Sequence, residues 1–443
     1  VTSVVTDSRE VGPGALFVAI AGDHHDGHDH AAAAAAAGAV GVLASREVDA
    51  PGVLVGDTVV ALGDVAREDH RRLAAAGVRT VALTGSSGKT STKDLLAQLL
   101  PLVGPTVATQ GNHNNEIGLP LTVLAADEDT GLLVLEMGMR GLGHLAYLTG
   151  IAVPDVALVL NVGTAHVGEV GSREDVARAK AELVEALRPD GLAVLNADDP
   201  AVRAMASLTS ARVVMFGEGA GADVRATDVR LDDRACASFV LHRAGASAPV
   251  SLPLPGEHQV SNALAAAAVA LELGATLPGV AAALGAVTGR SRWRMEVSQT
   301  EDGVTVVNDA YNANPESVRA ALKALVAMGG RERRTWAVLG EMKELGPDAV
   351  AEHDAIGRLA VRLDVSRLVC VGDGARTMHL GAAQEGSWGQ ESVWLPDADA
   401  AVALLRRELR PGDVVLVKAS RSIGLEGVAQ ALLAGPTGED GPL

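Results

Sequence analysis

Apolar residues alternate along the chain between two textures: short β-branched runs, and longer stretches with apolar positions three or four apart. The first texture predicts buried strands and the second predicts helices, and their regular alternation predicts mostly parallel sheets with crossover helices. Up to about Gly77 the runs LFVAIAG, AVGVLA and GVLVG are separated by glycine turns and Ala-rich stretches, which reads as a small α/β unit. From Val78 the order becomes strand, Gly-rich turn, helix in VRTVALTGSSGKTSTKDLLAQLL, with further buried strands in LLVLEMG, DVALVLNVG and GLAVLNADD. Between Ala211 and Pro255 the pattern shifts to alternating strands (VVMFG, VRATDVRL, ASFVLHR), and Asn262 to Leu273 returns to helix. After Arg294 come strands in VTVVNDA, TWAVLGE, RLVCVG and DVVLVKAS, each followed by a helical pattern such as ESVRAALKALVAM. The expected fold is α/β in three domains: a small N-terminal domain (1–77), a central P-loop domain with a mostly parallel sheet and helices (78–296), and a C-terminal Rossmann-like domain (297–443).

Composition narrows the picture. A chain of 443 residues is too long for one ordinary core, and with 48% hydrophobic but only 2% aromatic residues its cores are built from Ala, Val and Leu. A net charge of -18 excludes a general nucleic-acid binder, which needs a basic surface, and anionic ligands then require local donors. Cys236 and Cys370 sit in strand-like segments, form no motif and read as buried small hydrophobes of a cytoplasmic protein. No segment reads as a membrane span, since the apolar run Ala31 to Ser45 is short and mostly alanine, and no signal peptide is evident. The chain starts at Val1 without Met, which leads us to expect that an initial piece has been removed. The third block lacks a G-x-G-x-x-G after its first strand, so no dinucleotide is implied.

Two stretches invite chemistry. DHHDGHDH, Asp23 to His30, has the ligand types of a metal site, but its flexible Gly27 and the absence of separated ligand pairs speak against one. TGSSGKT, Thr84 to Thr90, lies between a strand and a helix, where backbone N–H groups and the helix N-terminus cradle phosphates. There Lys89 reaches the outer phosphates and the Thr90 hydroxyl is placed for Mg²⁺. The longer G-x-x-x-x-G-K-[ST] form is not met, because position 83 is Leu. Glu136, at a strand end, is a hard oxygen ligand for Mg²⁺. His166 in a glycine-flanked loop and Lys180 in a helical stretch are, by themselves, an ordinary loop histidine and a solvated helix lysine.

The short loop, together with GNHNNEIGLPLT, LEMGMRGLGHLAYL and NVGTAHVGEVGS, resembles the Mur ligase family of ATP-dependent amide ligases. DSREVGPGALFVAIAG, DAYNANPES, LGEMKELG and VKASRS extend the resemblance over essentially the whole chain. Within the family, DAYNANP points to the member that joins D-alanyl-D-alanine to a UDP-N-acetylmuramoyl-tripeptide (UDP-MurNAc-tripeptide). The resemblance implies a monomeric cytoplasmic enzyme that binds ATP and two Mg²⁺ ions and works through an acyl phosphate. UDP-MurNAc-tripeptide and D-Ala-D-Ala would be its partners.

Residue by residue, the resemblance assigns ATP to Thr84, Gly85, Ser86, Ser87, Gly88, Lys89, Thr90 and Ser91, with Asn262 at the base, His258 just before its helix, and Asp309 and Asn312 near the ribose or phosphates. One arginine of SRWRMEV, Arg292 or Arg294, bridges to the nucleotide, and spacing does not choose between them. His166 is implied as a ligand of the second Mg²⁺, and Lys180 as a carbamylated lysine that holds metal. Lys89, Glu136, His166 and Lys180 form the implied catalytic set, with Thr90, Glu136, His166 and Lys180 on metal. For the second substrate the implied contacts are Ser8, Arg9, Asp26, Gly27 and His28 around the UDP end, Asn112 and Asn115 on a phosphate or sugar, and Asn314. Lys418, Ser420 and Arg421 are placed for a substrate carboxylate or phosphate. The proton of the attacking amine goes to a side chain such as His353 or to water. Rivals are a sibling ligase, a P-loop kinase without an amine site, and a non-catalytic nucleotide-binding protein.

Overall fold

The computed structural model describes residues 1–22, 25–163, 171–386, 389 and 391–435. Three sheets organise them. In the first, Ser3–Val5, Ala15–Val18, Gly41–Ala44 and Gly52–Leu54 lie side by side in chain order, all parallel. The helix Thr58–Ala75, capped by the Asp57 carboxylate, then leads into the second unit. Its Leu62 packs with Val18 and Leu43 of the first sheet, whereas its Ala66 and Leu73 join the core beneath the central sheet.

The central sheet has nine strands. From one edge they run Thr106–Ala108, Leu132–Glu136, Arg79–Thr84, Val156–Val159, Leu192–Asn196, Arg212–Gly217 and Val224–Leu231, all parallel. The antiparallel strands Cys236–Arg243 and Ala246–Pro255 complete it. Helices cover both faces, which is why Leu132–Glu136 and Leu192–Asn196 are buried at every position and read as unbroken apolar runs. On one face the helix His258–Glu272 lies against the helix Lys89–Leu99. Ala263 and Ala265 to Ala268 on the first of these are fully buried, and a side chain that ends at Cβ lets the two backbones approach closely. The sequence reading placed His258 before this helix and Asn262 at its start; His258 instead opens it and Asn262 lies in its second turn.

The third sheet runs Glu296–Gln299, Thr305–Asn308, Val414–Lys418, Thr335–Leu339, Arg367–Val371 and Ser392–Leu395, with only the first strand antiparallel. Two of these strands escaped the sequence reading. EVSQ at 296–299 is a largely exposed edge and carries no apolar run, and SVWL at 392–395 is short. Cys236 and Cys370 are free and buried, and burial pushes the Cys370 thiol far up. Among the described residues no helix is long and apolar enough to cross a membrane.

Candidate active site

The phosphate loop is held from two sides, by Met137 and by Asn161. Thr84 Oγ1 donates to the Met137 carbonyl at 3.0 Å, the Ser87 N–H donates to Asn161 Oδ1 at 2.9 Å, and Asn161 Nδ2 returns a bond to the Ser87 carbonyl at 3.1 Å. Gly88 is left-handed, with φ 80°, and a Cβ there would lie 2.4 Å from Asn262 Oδ1, so the turn into the helix requires glycine. Asn262, expected at the base, takes a hydrogen bond from Thr92 at 3.3 Å and gives one to Gln259 at 2.9 Å, tying its helix to the loop helix. The Lys89 ammonium donates to the Gly85 carbonyl at 2.7 Å, and its burial pulls its pKa below the usual lysine range. Ser86 to Ser91 line a cleft of about 480 Å³.

Across the loop, Glu136 ends a buried strand and is itself 1% exposed. Its Oε1 accepts from Asn114 Nδ2 at 2.8 Å and from Thr90 Oγ1 at 3.4 Å, while Oε2 is buried with no hydrogen-bond partner. A buried carboxylate oxygen left open beside a hydroxyl is unfavourable without a cation, so the pair fits one Mg²⁺ completed by phosphate oxygens and water. Among the described residues no group of three or more His, Cys, Asp or Glu gathers as a metal set. Asn112 and Asn115 both line the same cleft, and Asn115 also accepts from the Ile117 and Gly118 N–H groups at the start of the helix Gly118–Val123.

The third domain closes the far wall. Asn314 caps the helix Pro315–Gly329 through the Ser317 N–H and sends Nδ2 to the Ser86 carbonyl at 3.3 Å. Asp309 Oδ1 accepts from the Met295 N–H at 3.0 Å, and its Oδ2 holds the buried Lys418 ammonium at 2.6 Å. Lys418 also donates to the Asn312 carbonyl at 2.8 Å. Arg294 lies 4.2 Å from the Tyr311 ring centroid and lines the phosphate cleft; Arg292 is exposed on the neighbouring cavity. Trp293 and Met295, on either side of Arg294, both hold a positive φ, at 59° and 49°, a strained backbone for bulky residues.

In the first domain the His-rich stretch is a hydrogen-bonded corner. His28 is buried; its Nδ1 lies 2.5 Å from Asp26 Oδ1, and its Nε2 accepts from the Ser45 N–H at 2.9 Å. That acceptor role places the ring proton on Nδ1, directed at Asp26. The bonds from His28 hold the half-buried Asp26 carboxyl down at about 2. Both imidazole nitrogens are therefore occupied, which removes His28 as a metal ligand. Asp23 and His24 lie outside the described residues. Ser8 opens a short turn in which Arg9 is paired with Asp7 and exposed.

Three family models cover the chain in succession: Mur ligase family, catalytic domain, on residues 1–87; Mur ligase middle domain on 83–270; and Mur ligase, glutamate ligase domain, on 293–421. The chain belongs to the Mur ligase family. The UDP-N-acetylmuramoyl-tripeptide–D-alanyl-D-alanine ligase of Mycobacterium tuberculosis is 52% identical over 98% of this chain and 92% of its own length. The enzyme of that name from Escherichia coli K12 is 36% identical over 97% and 93%. Among solved structures, MurF from Acinetobacter baumannii superposes with a TM-score of 0.88 at 32% identity, over 98% of this chain and 93% of that one. MurF ligase from Thermotoga maritima in complex with ADP gives 0.84 at 30% identity, over 98% and 97%.

The structure places the remaining sequence-assigned residues as follows. Lys180, assigned to metal by resemblance and otherwise an ordinary helix lysine, is 1% exposed in the helix Arg173–Glu185, and desolvation together with the nearby Lys89 ammonium pushes its pKa well below the usual range. His166 lies outside the described residues. Ser420 is buried, with its hydroxyl accepting the Lys343 N–H at 2.9 Å, and Arg421 pairs with Glu426 at 2.5 Å while stacking over Trp293. His353 is engaged at both nitrogens, Nε2 accepting from the Met342 N–H at 3.0 Å and Nδ1 lying 2.6 Å from the Ala349 carbonyl, so it is not free to take a proton. Sequence reasoning missed Asn114, Asn161 and Tyr311. The first sits inside the quoted GNHNNEIG and the last inside DAYNANP, but only the fold brings Asn114 to Glu136 and Tyr311 to Arg294.

Proposed function

We propose that this chain is a UDP-N-acetylmuramoyl-tripeptide–D-alanyl-D-alanine ligase of peptidoglycan precursor synthesis, acting as a monomer in the cytoplasm. In this reading residues 1–77 hold the uridine end through the Ser8–Arg9 turn and the Asp26–His28 corner, residues 78–296 bind ATP, and residues 297–443 bring the dipeptide. The observation that carries it is the shared cleft: Thr90 and Glu136 stand on one wall, and the Asp309 to Asn314 turn of the third domain stands on the other. Relatives that bear this name align along nearly the full chain.

A carboxylate is a poor electrophile, so the tripeptide carboxylate first takes the γ-phosphoryl group, a C–O–P linkage forms and ADP leaves. The dipeptide amine then attacks the acyl carbon, the bond to phosphate breaks, an amide remains and a proton is released. Lys89, detached from the Gly85 carbonyl, and Arg294 clamp the phosphates where charge develops. Thr90 and Glu136 would hold one Mg²⁺, which would neutralise charge on the phosphates, and a second ion would fall to His166 and Lys180. Seating of the third domain on the phosphate loop aligns the reactants and shields the acyl phosphate from water.

The finer part of this reading is the state of Lys180. Adding CO₂ requires a neutral amine, and the burial of Lys180 beside Lys89 supports that form. A ¹³C signal from labelled bicarbonate, lost in Lys180→Ala, decides between the carbamate and a free amine. The ligase reading itself is tested by phosphate release from ATP with UDP-MurNAc-tripeptide and D-Ala-D-Ala, separately and together. Release that ignores the dipeptide overturns it.

A further inference from the structure

The Ser86–Ser87 peptide, in the middle of the phosphate loop, is gripped at both ends by asparagines from different domains. Asn161 Oδ1 accepts the Ser87 N–H at 2.9 Å, and Asn314 Nδ2 donates to the Ser86 carbonyl at 3.3 Å, across 228 residues of sequence. The other end of the Asn314 amide settles its orientation: Oδ1 accepts the Ser317 N–H at 2.9 Å, a bond that only an oxygen can take, so the NH₂ group faces the loop. Ser86 is 4% exposed, and its remaining groups are taken within the central domain, the N–H by the Asn161 carbonyl at 3.2 Å and Oγ by the Gly163 N–H at 2.9 Å.

We propose that Asn314 is a positioning residue for phosphoryl transfer: it acts through the Ser86–Ser87 peptide, so that the phosphate loop takes its working shape only while the third domain is seated on it. The proposal rests on the ATP-binding part of the reading above and not on the identity of the amine.

The turn that carries Asn314 is braced from within its own domain. Lys418 Nζ draws together Asp309 Oδ2 at 2.6 Å and the Asn312 carbonyl at 2.8 Å, and the Ser420 hydroxyl donates to the Ala313 carbonyl at 3.4 Å. Pro315 fixes φ at the first helical position, and Ser317 Oγ accepts the Asn314 N–H at 3.0 Å. The Glu316 carboxylate lies over Gly163, where a Cβ would come 2.8 Å from its Oε1, so the same helix start abuts the residue that holds the Ser86 hydroxyl. A turn this rigid transmits position. When the third domain withdraws, the Ser86 carbonyl loses its donor, and the loop loses one of the bonds that orient its N–H groups for phosphate in advance.

The two ends of this side chain can be separated. Asn314→Ser and Asn314→Asp both keep an oxygen that caps the helix, but the first is too short to reach Ser86 and the second sets a carboxylate against its carbonyl. Steady-state phosphate release from ATP, with UDP-MurNAc-tripeptide and D-Ala-D-Ala, is measured for the full-length parent and both variants, alongside Tm and the Kd for ADP by isothermal titration. We expect Tm within about 2 °C of the parent, because the cap is kept. The Kd for ADP and the KM for the UDP substrate should stay near those of the parent. The kcat should fall about two- to tenfold in Asn314→Ser, as for loss of one hydrogen bond, and further in Asn314→Asp, where repulsion is added. Because Asn161 grips the same peptide, the losses in Asn314→Ser and Asn161→Ala should fall short of multiplying in the double variant. Parental kcat in both Asn314 variants overturns the role. A fall in kcat that comes with a lowered Tm or weakened ADP binding also overturns it, assigning the residue to the helix or to the nucleotide. A parent enzyme whose phosphate release ignores the dipeptide removes the ligase reading, while the same release, compared between parent and variants, still decides the role of Asn314.

Discussion

The side-chain amide of Asn114 donates to Glu136 Oε1 at 2.8 Å, and Glu136 Oε2 is left buried without a partner. Oε1 is thus shared between Asn114 and Thr90, which leaves Oε2 open to a cation, and the Gly138 N–H holds the Asn114 backbone carbonyl at 2.7 Å to keep the amide in place. Asn114 is a positioning residue, acting through the carboxylate. Loss of such a partner typically costs about 10- to 100-fold in metal affinity or activity. Asn114→Ala should therefore raise the Mg²⁺ concentration for half-maximal phosphate release about tenfold or more. It should also weaken Mn²⁺ binding, read by electron paramagnetic resonance with ADP present. Parental metal affinity in both readouts would refute the role.

Lys180 predicts a trade of stability for function. The unfolded chain binds a proton on this lysine that the native state resists, so native stability rises with pH from the depressed folded value up to the ordinary lysine value of 10.5. Below that window the burial penalty is present in full. Lys180→Met should melt about 2 °C or more above the parent at neutral pH in CO₂-free buffer, with the gap closing as pH approaches the lysine range. Phosphate release should be lost in the same protein. A variant that melts below the parent at neutral pH would show that the lysine is stabilised by a charge partner.

At Gly27 a Cβ would lie 2.7 Å from the Ile20 nitrogen and 3.0 Å from its carbonyl oxygen. Both are backbone atoms, so the corner itself must move. Gly27→Ala is expected to raise the KM for the UDP substrate several-fold while leaving the KM for ATP unchanged, and isothermal titration with UDP-MurNAc-tripeptide should show the same loss. An equal effect on ATP would mean that the corner supports the whole enzyme and not the uridine end.

His353 tests the proton route from the other direction. With Nε2 bound by the Met342 N–H and burial lowering its pKa, it serves the Glu341 to Gly346 loop. His353→Ala should lower Tm and leave the shape of the kcat pH profile unchanged. Disappearance of a limb of that profile would restore it as a base.

The phosphate loop and Glu136 were legible because their signals are local: glycines at a strand-to-helix turn, and a carboxylate at the end of an apolar run. The three-sheet architecture was legible because strands buried on both faces cannot hide their apolar runs. What stayed hidden depends on partners remote in sequence. Nothing in VKASRS announces that Lys418 will be neutralised by Asp309, 109 residues away, or that the Ser420 hydroxyl will be taken by the Lys343 backbone. Lys180 stood out only through the family resemblance, since by its local pattern a helix lysine looks solvated until the fold covers it. Arg292 and Arg294 were inseparable by spacing because they flank Trp293 in one short linker, and only the fold shows that of the two it is Arg294 that also lines the phosphate cleft.

The buried alanine run at 263 and 265 to 268 acts as a gauge block between the loop helix and the central sheet. Its side chains are already nearly as short as a residue allows, so mutation has almost no room to loosen this contact but every opportunity to pry it apart. A methylene added on the side turned to the loop helix must push that helix away, carrying Gly88 and Lys89 with it. Variation that reaches the phosphate loop through this helix is therefore one-sided: it moves the loop outward or leaves it where it is.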